Sequence, residues 1–235
     1  GRPRAKSNVK GDIRGFDVHT GELLWTFHTI PERGEVGFES WLDEGVEFTG
    51  NSGVWAPLSG DPELGIVYLP VEDPTGDYYG GDRPGDNLFS SSIVALDVKT
   101  GERKWHFQQL HHDIWDWDVP AAPVLADLPN GRKVVMSVTK QSFVYTYDRE
   151  TGAPVWPIVE QPVPAGDVPG EWYSPTQPFP TVPAPFDRQT VTEDAFLDWT
   201  PELRQMAIAA TEGLRLSTEP SPHPSLSDDP DAHNS

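Results

Sequence analysis

The stretch LHHDIWDWDVP, Leu110 to Pro120, packs two histidines, three aspartates and two tryptophans into one short loop-like segment. Three chemistries suit such a set. The His and Asp side chains could ligate a metal ion. A carboxylate between aromatic rings could act as a base, its pKa lifted by partial desolvation. The acids could also simply cap turns and bond backbone amides. His111 and His112 are adjacent, and neighbours in an extended chain point to opposite faces. Both therefore cannot easily bind one ion, and at least one is expected to pack or to face substrate.

Two further stretches hold groups of interest. In EDPTGDYYGGDR (Glu72–Arg83) the hydroxyl and carbonyl of Thr75 are hard oxygen donors of the kind Ca²⁺ takes, with Asp73 and Asp77 as nearby alternatives. In TKQSF (Thr139–Phe143) Lys140 follows one apolar strand and precedes another, which places it in a tight turn. A loop of Asp, Gly and Pro is more often only a loop, and a lysine in a turn is ordinarily solvated.

The chain has 235 residues and a formal net charge of -20. That charge argues against a nucleic-acid partner and against anionic lipid. Without cysteine there are neither disulfides nor thiolate metal sites, and no Cys-x-x-Cys-His for a covalent haem. No apolar run approaches the roughly 20 residues that span a bilayer. The opening GRPRAKSNVKGD lacks both Met and an apolar leader core, so a fragment or processed product is expected.

The elements that must position these groups are strands. Nine Trp, 25 Pro and 21 Gly favour an all-β fold rich in turns. GFDVHTGELLWTF, ALDVKTGERKWHF and TYDRETGAPVWPI share Asp, Thr-Gly and Trp at one spacing, with the Trp at 25, 105 and 156. Each reads as a strand, an Asp-organised turn with Gly at positive φ, and a second strand. A Trp recurring at one place in each unit suits packing between adjacent similar sheets. About four strands precede each Trp, as in a propeller blade. One blade is expected over about 120–156. Another is expected over about 52–107, lengthened by an insertion at 70–91, and a partial blade precedes them.

The partial propeller is expected over residues 1–192, with a Pro-rich extended connection at about 157–192. A helical excursion at 193–216 contains a helix from Pro201 to Glu212. Thr200 caps it, and Leu203, Met206, Ala207 and Ala210 share a face. A polar tail at 217–235 is expected to be disordered.

The repeats, with RGFDVHTGELLWTFHTIP, YYGGDRPGDNLFSSSIVALD, HHDIWDWDVPAAP, TKQSFVYTYDRETG and SPTQPFP, resemble pyrroloquinoline-quinone (PQQ) dependent dehydrogenases, most of all the membrane glucose dehydrogenase type. That family is built as an eight-bladed propeller, so the chain would be a piece of one. The resemblance implies oxidation of a sugar such as glucose, or of an alcohol, with PQQ and Ca²⁺ (or Mg²⁺) as cofactors. It implies Asp116 as catalytic base, with Asp113 as the alternative. It implies Lys140 against the quinone oxygens, and Thr75 near the metal and cofactor. Ser142 departs from the family, where many members have Gly. A quinone or other electron acceptor, a periplasmic setting, and membrane attachment only through parts outside this chain are implied as well. The competing expectation is a non-catalytic repeat propeller that scaffolds other proteins, which would need the repeats but neither Asp116 nor Lys140.

Overall fold

The structure, a computed structural model, describes residues 9–212 apart from positions 44 and 190. The expected disordered tail and Gly213 lie outside the described residues.

The described residues form four antiparallel sheets. β1 (Ile13–Phe16) and β2 (Leu23–Phe27) form a hairpin. β3 (Ser59–Asp61), β4 (Ile66–Val71), β5 (Ser92–Asp97) and β6 (Arg103–Gln108) form a four-stranded sheet in sequential order. β7 (Val124–Asp127), β8 (Lys133–Val138) and β9 (Val144–Asp148) form the next sheet. β10 (Ile158–Pro162) pairs with β11 (Thr176–Pro180). Among the described residues, α1 (Gly45–Phe48) lies between β2 and β3, and α2 (Pro201–Ala210) follows β11.

The three repeats build one turn three times. Asp17 Oδ1 accepts the amides of His19 and Thr20, Asp97 Oδ1 those of Lys99 and Thr100, and Asp148 Oδ1 those of Glu150 and Thr151. Gly21, Gly101 and Gly152 close these turns at φ 73°, 72° and 73°. That conformation is costly for any residue with a Cβ. The glycine has a second reason to be bare. The Trp25 ring lies over Gly101, where a Cβ would come within 2.6 Å of it, and Trp105 lies over Gly152, where the distance would be 2.5 Å. Each indole then donates to a carbonyl of the turn it covers: Trp25 Nε1 to Val98 O and Trp105 Nε1 to Arg149 O, both at 3.1 Å. The Trp of one repeat thus docks on the turn of the next.

The four-stranded sheet is consequently buried on both faces. Ile93 and Ala95 of β5 pack with Val135, Tyr145 and Tyr147 of the following sheet. Val94 and Leu96 pack toward Trp25 and Phe27 of the preceding hairpin. Arg149 bonds across the junction to Asp61 at 2.8 Å, and within its own sheet to Asp127 and to the Ala126 carbonyl. Stacked antiparallel sheets of this kind bear out the all-β, blade-like reading.

Three expectations need correction. The last strand of the blade expected to end at Trp156 is reduced to a single bridge, Tyr147 to Pro154. Pro154 and Pro157 flank Trp156 and have no amide to give a ladder. The Pro-rich connection is not merely extended, because β10 and β11 pair within it and Tyr145 Oη donates to Pro178 O at 2.9 Å. The helix forms as its caps require, with Thr200 Oγ1 accepting from Leu203 N. The face shared by Leu203, Met206, Ala207 and Ala210 is only partly covered, with Leu203 and Ala207 half-buried. Met206 is 66 % exposed and Ala210 is exposed, while Arg204 turns in to bond the carbonyls of Glu193 and Phe196.

If the docked indole holds the sheets together, Trp105→Ala should cost about 3–5 kcal/mol of unfolding free energy, the usual range for a buried aromatic. Trp156, 39 % exposed, should cost about 1 kcal/mol or less on the same change. Urea midpoints of the two variants check this.

Candidate active site

The segment after β6 leaves the four-stranded sheet and turns sharply before β7. Asp113 organises that turn. It is fully buried, and its carboxylate accepts Trp115 N at 2.9 Å, Trp117 N at 3.0 Å and Ser91 Oγ at 2.9 Å. Burial pushes Asp113 up to about 6, against these donors. The curl stacks the Trp115 and Trp117 rings at 5.2 Å and 21°. It places Asp116 in the left-handed region at φ 59°.

Asp116 is half-buried, and Lys140 Nζ lies 3.0 Å from its Oδ1. Burial and the neighbouring Asp118 raise its pKa, while Lys140 opposes them. Asp118 is buried. Its Oδ2 accepts Lys140 Nζ at 2.9 Å and Trp55 Nε1 at 3.2 Å, and its Oδ1 accepts the Asp73 amide at 2.9 Å. Burial works against the charge on Asp118, but the Lys140 bond and the Asp73 amide outweigh it and hold the carboxyl below its usual range. Lys140 is correspondingly raised, in spite of its own partial burial, by both carboxylates. Its backbone amide also bonds Asp118 O, so the turn carrying Lys140 is tied to the loop carrying the acids. Ser142 closes that turn at φ 66°, where glycine would be unstrained.

A fourth carboxylate enters from the loop that follows β4. Asp73 is buried, and its Oδ2 has no hydrogen-bond partner among the described residues. Burial, with Asp113 and Asp118 close by, pushes it up to about 10, so without a cation it holds a proton at neutral pH. One oxygen each from Asp73, Asp116 and Asp118 lie within 4.8 Å of one another. An orphaned oxygen among three hard donors fits a divalent cation such as Ca²⁺. Thr75 follows Asp73 by two residues on the same loop, half-buried, with its amide donating to Gly50 O at 3.1 Å.

The two histidines diverge. His111 meets Gln108 at 2.9 Å and Glu160 at 3.1 Å, whereas His112 is buried against Gly85 O at 2.8 Å and Glu171 at 3.2 Å. They do not converge on one ion.

Sequence reasoning missed Trp55. It is 56 % exposed, yet its indole is pinned to Asp118 and Lys140 Nζ lies 5.9 Å from its ring centroid. Its only signal was a Trp outside the repeat, in NSGVWAP. The arrangement is a bare aromatic face beside a cation, an open carboxylate and a potential cation seat.

Residues 2–228 match the PQQ family described as glucose/ethanol/alcohol dehydrogenase, beta-propeller domain. The chain belongs to this PQQ-dependent dehydrogenase family. It is 44 % identical to a quinoprotein glucose dehydrogenase of Escherichia coli over 73 % of its own length and 22 % of that protein's. It is 42 % identical to quinoprotein glucose dehydrogenase A of Acinetobacter calcoaceticus, over 77 % and 24 %. Among solved structures, quinohemoprotein alcohol dehydrogenase from Comamonas testosteroni superposes with a TM-score of 0.58 at 27 % identity, over 74 % of this chain and 28 % of that one. The chain thus spans about a quarter of these relatives. The expected family and partial propeller are both borne out. No helix among the described residues is long and apolar enough to cross a membrane.

The carboxylate group makes a direct prediction. Millimolar Ca²⁺ should raise the melting temperature. A ligand at 100 times its Kd stabilises by about 2.7 kcal/mol. Asp73→Asn and Asp118→Asn should each remove at least half of that gain, read by differential scanning fluorimetry with and without chelator.

Proposed function

We propose that this chain carries the catalytic face of a PQQ-dependent dehydrogenase that oxidises a sugar such as glucose, or an alcohol. The observation that supports it most is Lys140, set between Asp116 and Asp118 beside the open ring of Trp55. PQQ, when bound, supplies the two-electron acceptor. Trp55 offers a flat apolar wall to such a planar group, and Lys140 offers donors to its oxygens. Asp73 and Asp118, the two buried acids, would hold Ca²⁺ or Mg²⁺ with Thr75 on the adjoining loop. The cation would polarise the cofactor's carbonyl.

Asp116 is the base. Of Asp73, Asp113, Asp116 and Asp118 it alone is not buried, so substrate can reach it. Its raised pKa brings it toward the range where a carboxylate accepts a hydroxyl proton usefully. Asp113, the alternative, is sealed in and bonded by three donors, a geometry that suits support of the turn. Electrons would leave to a quinone or another acceptor, and the setting is the periplasm.

PQQ titration in excess Ca²⁺, followed by absorbance, tests this reading. Lys140→Ala should weaken binding at least tenfold. Asp116→Asn should retain binding and lose turnover of glucose or an alcohol by about 10²–10⁴-fold, the usual worth of a positioned base. Folded protein that binds no PQQ would favour a scaffold instead.

A further inference from the structure

Glu171 comes from the Pro-rich connection, far in sequence from every group above, and ends up buried against His112. The hydrogen-bond roles around that imidazole are constrained. Nδ1 faces Gly85 O at 2.8 Å and Asn87 Oδ1 at 3.2 Å. The Asn87 amide is oriented by Arg83, which donates to its oxygen at 2.7 Å, while its nitrogen donates to Arg83 O at 2.8 Å. Nδ1 therefore meets only acceptors and carries a hydrogen. Nε2 faces Glu171 Oε1 at 3.2 Å. That carboxyl already accepts Trp172 N at 3.1 Å and Gly80 N at 2.8 Å. A lone pair on each side of a dry contact would repel, so a proton lies between Nε2 and Oε1.

The surroundings are built around this contact. Trp172 meets the imidazole edge-on at 4.8 Å. Gly80 lies so close that a Cβ there would come within 2.5 Å of Nε2. His112 itself sits at φ 50°, a strained conformation for a residue with a side chain, and its amide bonds Asp86 O. The next residue is Asp113, whose backbone oxygen accepts from buried Arg83 and whose carboxylate curls the chain to Asp116. Let His112 relax to an extended φ, and Asp113 no longer lies beneath the Trp115 and Trp117 amides.

We infer that His112 and Glu171 are positioning residues for Asp116, clamping the base-bearing turn to the Gly80 loop and to the Pro-rich connection through one shared proton. The titratable groups around the pair are Arg83, which disfavours a cationic imidazole, Asp73, Asp113 and Asp77 close to Arg83, and Tyr79 and Tyr173 beside Glu171. The role given to Asp116 rests on the proposed function, but the clamp itself does not.

The stacked Trp115–Trp117 pair reports on the turn, because two coupled indoles at that separation give a circular-dichroism couplet. Glu171→Leu should remove more than half of it. Glu171→Gln should keep most of it, since its amide can donate to Nε2 and its oxygen can accept from Gly80. Glu160→Leu, which removes the exposed partner of His111, should leave it intact. On the unaltered chain, ¹⁵N NMR should find His112 with a hydrogen on Nδ1 and its ring becoming cationic only below the usual imidazole range, because burial disfavours the charge, a readout available even if Glu171→Leu does not fold. An intact couplet in folded Glu171→Leu, or a His112 ring that titrates as an exposed imidazole does, overturns the inference. Turnover surviving in Asp116→Asn while Glu171→Leu still loses the couplet would instead refute the base assignment and leave the clamp standing.

Discussion

Four carboxylates crowd one end of the stacked sheets, in a chain that already carries a formal charge of -20. Asp73, Asp113 and Asp118 are buried there and Asp116 is half-buried. Taking several like charges out of water is unfavourable unless each is neutralised, protonated or richly bonded. The site uses all three means. Asp118 is neutralised by Lys140, Asp113 is bonded by amides and a hydroxyl, and burial beside two other acids favours the protonated form of Asp73 while no cation is bound. Asp116 is left with an intermediate environment, paired to Lys140 on one oxygen and reachable by solvent.

That distribution depends on backbone placed to better than a residue. Asp73 lies just past the end of β4, the Asp113–Asp118 turn follows β6, and Lys140 sits between β8 and β9. Two of these come from one sheet and the third from its neighbour. The relation between the sheets is set by Trp105 on Gly152 and by Arg149 bridging to Asp61. Docking of this kind leaves little freedom to slide, since the indole must both clear a Cβ-free turn and reach its carbonyl. The rigid stack is what allows loops of irregular, partly left-handed backbone to hold their shape at its end.

The same logic separates the two histidines of HHDIWDWD. His111 faces a half-open region with Glu160, and His112 is sealed among Gly85, Asn87, Glu171 and Trp172. Adjacent residues diverge because the chain turns through His112 at positive φ. The first supports the connection that carries β10 and β11, and the second holds the turn beneath Asp116.

Much was legible in the residues themselves. Asp, Thr-Gly and Trp at a fixed spacing act locally, through a turn that an Asp side chain and a glycine dictate whatever surrounds them, so the repeats, the all-β class and the helix cap at Thr200 could be read directly. Asp116, Lys140 and Thr75 were marked by their motifs. Trp55, Asp73, Arg83 and Glu171 were not, or were only alternatives, because their importance comes from partners 63, 45, 30 and 59 positions away. The missing last strand before Trp156 and the inward Arg204 have the same origin. Local patterns report what a segment prefers, and burial against distant segments decides which donors and acceptors are left to be paired. The repeat spacing therefore determined the architecture, while tertiary packing alone decided which acid stayed charged, which was protonated and which was left open to solvent.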